Sequence, residues 1–396
     1  MDDVDISTNL GSRIYCTPEL GFEEDAALAQ IDGLRRELRF FVAEPRRWVG
    51  YVRRILSARA IQGSNSIEGY NVSVEDALAA IDADEPTGGA RLEDWRAVTS
   101  YRRAMTYVLQ LAHDQHFSFT PALIRSLHFM MTEYSFDASP GLWRPGPVWI
   151  RNDATGDIVY EGPDAEEVPE LIDALVGQLS SDAGAPPVVR AAMAHLNLAM
   201  IHPFRDGNGR MSRCLQTLIL AREQILAPEL SSIEEYLGAN TQAYYQVLGQ
   251  VGQGSWNPHR DPTPWVRFCL RAHYIQAASV LRRVRESERM WIEIEKLIAK
   301  HRLPDRVMAG LLDASIGLRV RNSSYRAALK RTDNEEISHQ VATSDLKAMV
   351  DAGLLDRRGA KRGTFYQAGS PLIEIRAKIT NDRQPLDADS PFPITA

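Results

Sequence analysis

Apolar residues recur at three- and four-residue intervals along most of the chain, the period of a helix with one buried face. In "VVRAAMAHLNLAMI" Val189, Met193, Leu196 and Met200 share a face, and Pro186-Pro187 suits the entry to that helix. "GRMSRCLQTLILAREQIL" repeats the pattern through Met211, Leu215, Leu218 and Ile219, and the run from Pro264 to about Lys300 reads as one or two helices bridging domains. One stretch has a different period. Val148–Ile150 and Ile158–Tyr160 are short β-prone runs around the turn-rich "RNDATGD", with Pro163 closing them, so they predict a β-hairpin on a helical body. Ser180–Pro187 reads as a loop, Gly252–Pro264 as a hinge, and the chain from about Pro385 as a loose tail; no internal repeat stands out.

The C-terminal pattern changes again. The helical "NEEISHQVATSDLKAMVDAG" precedes "LLDRRGAKRGTFYQAG", two short strands around a basic turn holding Arg357, Arg358, Lys361 and Arg362. Helices followed by such a hairpin resemble a winged helix-turn-helix over about residues 290–370.

With 396 residues the chain can build two or three cores. Its net charge of −7 argues against coating nucleic acid or membrane through overall charge, while leaving local basic patches open. Cys16, Cys214 and Cys269 are far apart and form no CxxC pair, which disfavours a zinc site or disulfide framework and fits a reducing interior. "MDDVDISTNLG" is acidic with no apolar segment behind it, and no run nears the roughly 18 apolar residues of a membrane helix. The expected setting is cytoplasmic, with no membrane partner.

Against this background "IHPFRDGNGRMSR", Ile201 to Arg213, is unusual. A helix starting near Asn208 would carry Arg210 and Arg213 in its first turns, where cations oppose the macrodipole. A bound anion there resolves the conflict. Gly207 and Gly209 let backbone N–H groups turn toward a phosphate, and Asp206 beside an anion makes sense if it holds a divalent cation bridging to it. His202 has the ordinary affinity of a base working near neutrality. The set describes transfer of a phosphate-containing group to a hydroxyl.

His202-Pro203-Phe204-x-Asp206-Gly207-Asn208-Gly209-Arg210-x-x-Arg213 resembles the full signature of the Fic (filamentation induced by cAMP) family. The resemblance implies a mainly α fold: a Fic-type helical bundle with a β-hairpin flap, here followed by the winged helix. It also implies ATP and Mg²⁺, and transfer of AMP to a Ser, Thr or Tyr hydroxyl of a protein. By carry-over, His202 takes the hydroxyl proton and Asp206 holds Mg²⁺. Gly207, Asn208 and Gly209 form the anion nest, Arg210 and Arg213 reach the outer phosphates, and Phe204 anchors the loop. The hairpin 148–160 resembles the flap that holds the target segment by strand addition, and "YLGANTQAYYQVL" resembles the nucleoside-lining segment, making Asn240, Tyr244 and Tyr245 candidates for adenosine. Upstream, Ser64-x-x-x-Glu68-Gly69 resembles the inhibitory motif of the class with an N-terminal inhibitory helix, its carboxylate pairing with Arg213.

The expected organisation is 1–94 helical with the inhibitory motif, 95–255 the catalytic core, 256–289 a linker helix, 290–370 the winged helix and 371–396 a tail. Self-modification and pairing of two copies remain open. So do three other functions: removal of AMP by hydrolysis, transfer of another phosphate-linked group, and a DNA-binding regulator with a nucleotide-sensing core. His113 and His116 in "HDQH" read as surface histidines, and His195 as a packed or solvated helix residue.

Overall fold

The computed structural model describes residues 13–43, 47–82, 90–151, 156–181, 184–223, 226–332, 334–383 and 390–392. The helices in chain order are α1 (Phe22–Val42), α2 (Arg47–Ile67), α3 (Val74–Asp82), α4 (Leu92–Leu111), α5 (Pro121–Thr132), α6 (Val168–Ser181), α7 (Pro187–Ile201) and α8 (Asn208–Arg222). There follow α9 (Pro228–Ser231), α10 (Glu234–Ala239), α11 (Thr241–Gly252), α12 (Thr263–His301), α13 (Met308–Ser315), α14 (Asn322–Thr332), α15 (His339–Asp351) and α16 (Ser370–Asn381). β1 (Trp149–Arg151) pairs antiparallel with β2 (Ile158–Glu161), Ile150 opposite Tyr160, and β2 pairs in parallel with the two-residue β3 (Gly254–Ser255). The expected turn at 152–155 lies outside the described residues, as do residues 1–12 at the acidic start.

Two hydrophobic cores form. The first is centred on α7 and α8, whose faces are buried nearly all round: Met193, Leu196, Met211, Leu215, Leu218 and Ile219 pack with Val98, Tyr101, Leu127 and Leu175. The second gathers α13, α14, α15 and α16 through Leu311, Leu312, Tyr325, Leu329, Leu346, Met349 and Leu372. Three long helices belong to both, α1 giving Ala27 and Ile31 to the first core and Leu38 to the second. α12 gives Trp265, Cys269 and Leu270 to the first core and Val280, Leu281 and Ile294 to the second; α2 gives Ala58 and Ile61 to the first and Tyr51, Val52 and Leu56 to the second.

Several expected boundaries are corrected by these continuities. The 289/290 division falls inside α12, since no Gly or Pro interrupts the chain after Pro264 until Arg302 adopts a left-handed conformation and ends the helix. The 94/95 division falls inside α4. The hinge at 252–264 is tied down: Trp256 N–H donates to the Glu161 carbonyl, and Arg260 donates to the Gly252 and Ser255 carbonyls. The expected tail begins with α16, which buries Leu372 and Ile379, and Pro391 lies against the body where Gln30 reaches its carbonyl. Beyond it, 384–389 and 393–396 lie outside the described residues.

In the C-terminal unit β4 (Leu355–Arg358) and β5 (Phe365–Ala368) form an antiparallel pair, and Val320, between α13 and α14, bridges to Tyr366 as a third extended segment. Arg357, Arg358 and Lys361 are exposed. The side chain of Arg362 lies outside the described residues.

Candidate active site

The site is a short turn between two buried helices. α7 stops because His202 takes a left-handed conformation (φ 51°) and Pro203 follows, lacking the N–H that would continue the ladder. α8 begins after Gly207, also left-handed at φ 78°. The first bond of α8 runs from Met211 N–H to the Gly207 carbonyl, so the N–H groups of Asn208, Gly209 and Arg210 lie ahead of the ladder, at a helix N-terminus suited to anions.

Three side chains clamp this turn. The Asn208 amide closes on Phe204, accepting from its N–H and donating to its carbonyl, both at 2.9 Å. Asn208 thus spends its side chain on the loop and offers an incoming anion only its backbone. Arg144 is buried; its Nε donates to the His202 carbonyl at 2.9 Å, its own N–H donates to the Pro203 carbonyl, and its Nη atoms reach the carbonyls of Gly146 and Pro163 on either side of the β1–β2 pair. His128 on α5 lies flat against the Phe204 ring, with centroids 3.6 Å apart. His128 Nδ1 accepts from Gly141 N–H and Nε2 donates to the Asp206 carbonyl at 2.8 Å, so the ring is neutral with a fixed tautomer. Burial brings its pKa down to about 4.

The imidazole of His202 is held in its neutral form. Its Nδ1 lies 3.2 Å from the Ala199 carbonyl, which can only accept, so Nδ1 carries the proton and Nε2 keeps its lone pair. Burial lowers its pKa below 6.5, only partly countered by the Ala199 bond and the charge of Glu68. The neutral form therefore dominates at pH 7.

The two arginines come in from α8. Arg210 is fully buried, with its guanidinium 4.9 Å above the Tyr70 ring and Nη1 donating to the Tyr134 hydroxyl, itself bonded to Tyr70. Among the described residues its Nε and Nη2 have no hydrogen-bond partner, and Nη2 is 3.7 Å from Asp206. Arg213, 1% exposed, donates from Nε to the Ser64 hydroxyl (2.8 Å) and from Nη2 to the Ser64 carbonyl (2.9 Å) and Glu68 Oε1 (2.7 Å); among the described residues its Nη1 has no hydrogen-bond partner. Buried guanidinium donors without acceptors are costly unless something fills them. Asp206 differs, with a side chain 51% exposed and one oxygen on Gly207 N–H.

Ser64 and Glu68 come from the end of α2, and Gly69 terminates that helix at φ 81°. The carboxylate lies directly over α8: a methyl on Gly209 would overlap Glu68 Oε1. Burial pushes the Glu68 carboxyl up, but Arg213 and Arg210 outweigh it and hold it below the ordinary range. α2 is seated by contact with α10, where Gly63 and Gly238 meet so closely that a Cβ on either would strike backbone.

The other expected residues separate. Tyr244, expected as a nucleoside contact, is 2% exposed, and its hydroxyl lies 2.9 Å from His195 Nε2, whose other nitrogen is held by Gln216. Asn240 turns its amide back on the Tyr236 carbonyl. Tyr245 stays half-exposed, its hydroxyl donating to the Ile67 carbonyl beside Glu68. His128, Arg144, Tyr70 and Tyr134 were not anticipated. A histidine on the apolar face of "ALIRSLHFMM" and an arginine between Trp and Pro in "GLWRPGP" were the available signals.

Residues 118–220 match the family described as Fic/DOC. Among curated proteins, the protein adenylyltransferase Fic of Nematostella vectensis is 25% identical over 213 residues, 53% of this chain and 45% of that protein. The protein adenylyltransferase fic-1 of Caenorhabditis elegans is 26% identical over 210 residues, 52% and 37% respectively. The chain thus spans less than half the length of these curated relatives. Among solved structures, a Fic family protein from Desulfovibrio desulfuricans superposes with a TM-score of 0.56 at 21% identity, over 89% of this chain and 98% of that one. Fic-1 from C. elegans gives 0.51 at 21% identity, over 65% and 72%. At these identities the structures establish a shared Fic fold. No helix among the described residues is long and apolar enough to cross a membrane.

Proposed function

We propose that the chain is a protein adenylyltransferase that moves AMP from ATP to a protein hydroxyl and is restrained by Glu68. The observation that carries this reading is the pairing, at one helix N-terminus, of buried guanidinium donors on Arg210 and Arg213 that have no partner among the described residues with a histidine whose proton sits on Nδ1. The backbone N–H groups of 208–210 and these donors suit the phosphates of ATP. His202 Nε2 takes the proton of the target hydroxyl as its oxygen attacks the α-phosphorus; the new P–O bond forms, the bond to the β-phosphate breaks, and pyrophosphate leaves.

Asp206 fits a Mg²⁺ role: it is an exposed carboxylate beside the nest, and no cluster of three or more His, Cys, Asp or Glu suited to a metal occurs among the described residues. A single carboxylate with phosphates and water is the usual Mg²⁺ environment, and the ion would neutralise phosphate charge. The β1–β2 pair, tied to the loop by Arg144, would receive the target segment along the free edge of β1. Tyr245 keeps a candidate adenosine role. The C-terminal unit is read as a winged helix, its exposed basic residues facing outward; DNA is one partner of matching charge.

Intact-mass measurement of the Glu68→Gly protein after incubation with Mg²⁺–ATP tests the reading. An added AMP, carrying label from α- but not γ-labelled ATP, is expected; an unmodified mass on the chain and on every added protein substrate would sink it.

A further inference from the structure

Helix α2 holds the Glu68 motif at one end and is built into the C-terminal core at the other. Trp48, Val49, Tyr51, Val52 and Leu56 pack in the second core, whereas Ala58, Ile61 and Ile67 pack in the first. At the changeover stands Arg54, with a side chain only 3% exposed. It donates Nε and Nη2 to Asp82 at the end of α3 (3.1 and 2.7 Å) and Nη1 to both oxygens of Asp313 on α13 (3.2 Å). Asp82 in turn faces Arg331 of α14 at 3.6 Å, and Arg102 of α4 donates to the neighbouring Ile81 carbonyl. A buried cation held by two carboxylates from different elements is strongly sensitive to the position of either, since losing one leaves charge uncompensated. Ser64 lies ten residues further along the same helix, about 15 Å at 1.5 Å per residue. The helix is therefore a rigid strut whose middle is gripped by α13 and whose end grips Arg213.

We propose that the C-terminal unit, α13 to α16, sets the strength of the Glu68–Arg213 restraint through α2, with the Arg54–Asp313 contact as the coupling. The proposal rests on the reading of Glu68 as a brake. A partner that shifts α13 weakens the hold on Arg54, and α2 then releases Arg213 at lower cost. The unit is a control domain, in addition to any role in choosing targets.

The test uses the full chain. Asp313→Asn is expected to raise AMP transfer at saturating Mg²⁺–ATP by at least about fivefold, the lower end of allosteric couplings. In a Glu68→Gly background it should add nothing. A parental rate for folded Asp313→Asn beside a faster Glu68→Gly overturns the coupling and leaves the brake standing; a parental rate for Glu68→Gly removes the brake itself. An equal rise in both backgrounds also overturns the coupling. Because Asp313→Asn alters a buried triad, a second measurement does not depend on its folding. Coupling is reciprocal, so amides of residues 308–332 in Glu68→Gly should exchange with deuterium at least about fivefold faster than in the parent, measured relative to the change in α6. Equal changes in the two regions overturn the proposal.

Discussion

Removing the Glu68 carboxylate should make the protein less stable and more active at once. Arg213 is 1% exposed and Glu68 21%, so the pair is largely withdrawn from water. Deleting one member of a buried ion pair costs about 3–5 kcal/mol because the other charge is left uncompensated. Two features favour the lower end here: Glu68 is still partly solvated, and Arg213 keeps both oxygens of Ser64. Glu68→Gly should therefore lose about 3 kcal/mol. Its guanidinium and the face of Gly209 then become available to an anion. Mg²⁺–ATP should restore stability in the variant, by about 2.7 kcal/mol at a hundredfold excess over Kd, and stabilise the parent less. The rate should rise about 100-fold, the scale on which misalignment of a bound substrate costs turnover. Urea melts with and without Mg²⁺–ATP, alongside transfer of α-labelled AMP, measure all three. Glu68→Gln, which keeps the shape and loses the charge, should fall between. A Glu68→Gly protein as stable as the parent without nucleotide would refute the reasoning, because Arg213 would then not depend on that carboxylate.

Three further outcomes follow from the loop. His202→Ala should abolish AMP transfer and leave ATP affinity by calorimetry within about twofold, since the imidazole acts on the hydroxyl and not on the nucleotide. The transfer rate should fall with acidity through a pKa below 6.5, because burial favours the neutral ring. Glu68 raises that pKa, so the acid limb should lie at still lower pH in Glu68→Gly; a limb moved upward would show the sign to be wrong. His128→Ala should cost about 2 kcal/mol of stability by stranding Gly141 N–H and the Asp206 carbonyl, and should lower kcat more than it raises KM. His128→Gln, which can still donate to that carbonyl, should recover part of the loss.

Much of the site was readable because its residues lie within twelve positions of one turn, where spacing alone gives geometry. The helical period of α7 and α8, the β-prone runs around Val148 and Ile158, and the cluster from His202 to Arg213 all have local signatures. What was not readable depends on distant partners. His128 and Arg144 act through residues 58 to 78 positions away, and the local signals they carry, a histidine on an apolar face and an arginine before a proline, do not say which distant groups they hold. The burial of Tyr244 was unreadable for the same reason, as its partner His195 is 49 positions off. Domain boundaries are hard to read in such a chain, because α1, α2 and α12 each serve two cores and an amphipathic period does not say which core its stripe enters.

The clamps and the restraint act on different parts of the site. His128, Arg144 and Asn208 all bond to backbone between His202 and Asp206, and none of them touches Glu68. The base is thus oriented by the first core whatever α2 does. Glu68 reaches the other end, where its carboxylate covers Gly209 and occupies Arg213. A restraint so placed has no direct means of turning the imidazole away. It can act by competing with phosphate oxygens for one guanidinium and one face of a helix, so nucleotide and α2 oppose each other for the same seat. With nucleotide already bound, that contest decides how the phosphates align, so the rate at saturating ATP should rise as the hold on α2 is loosened at Arg54.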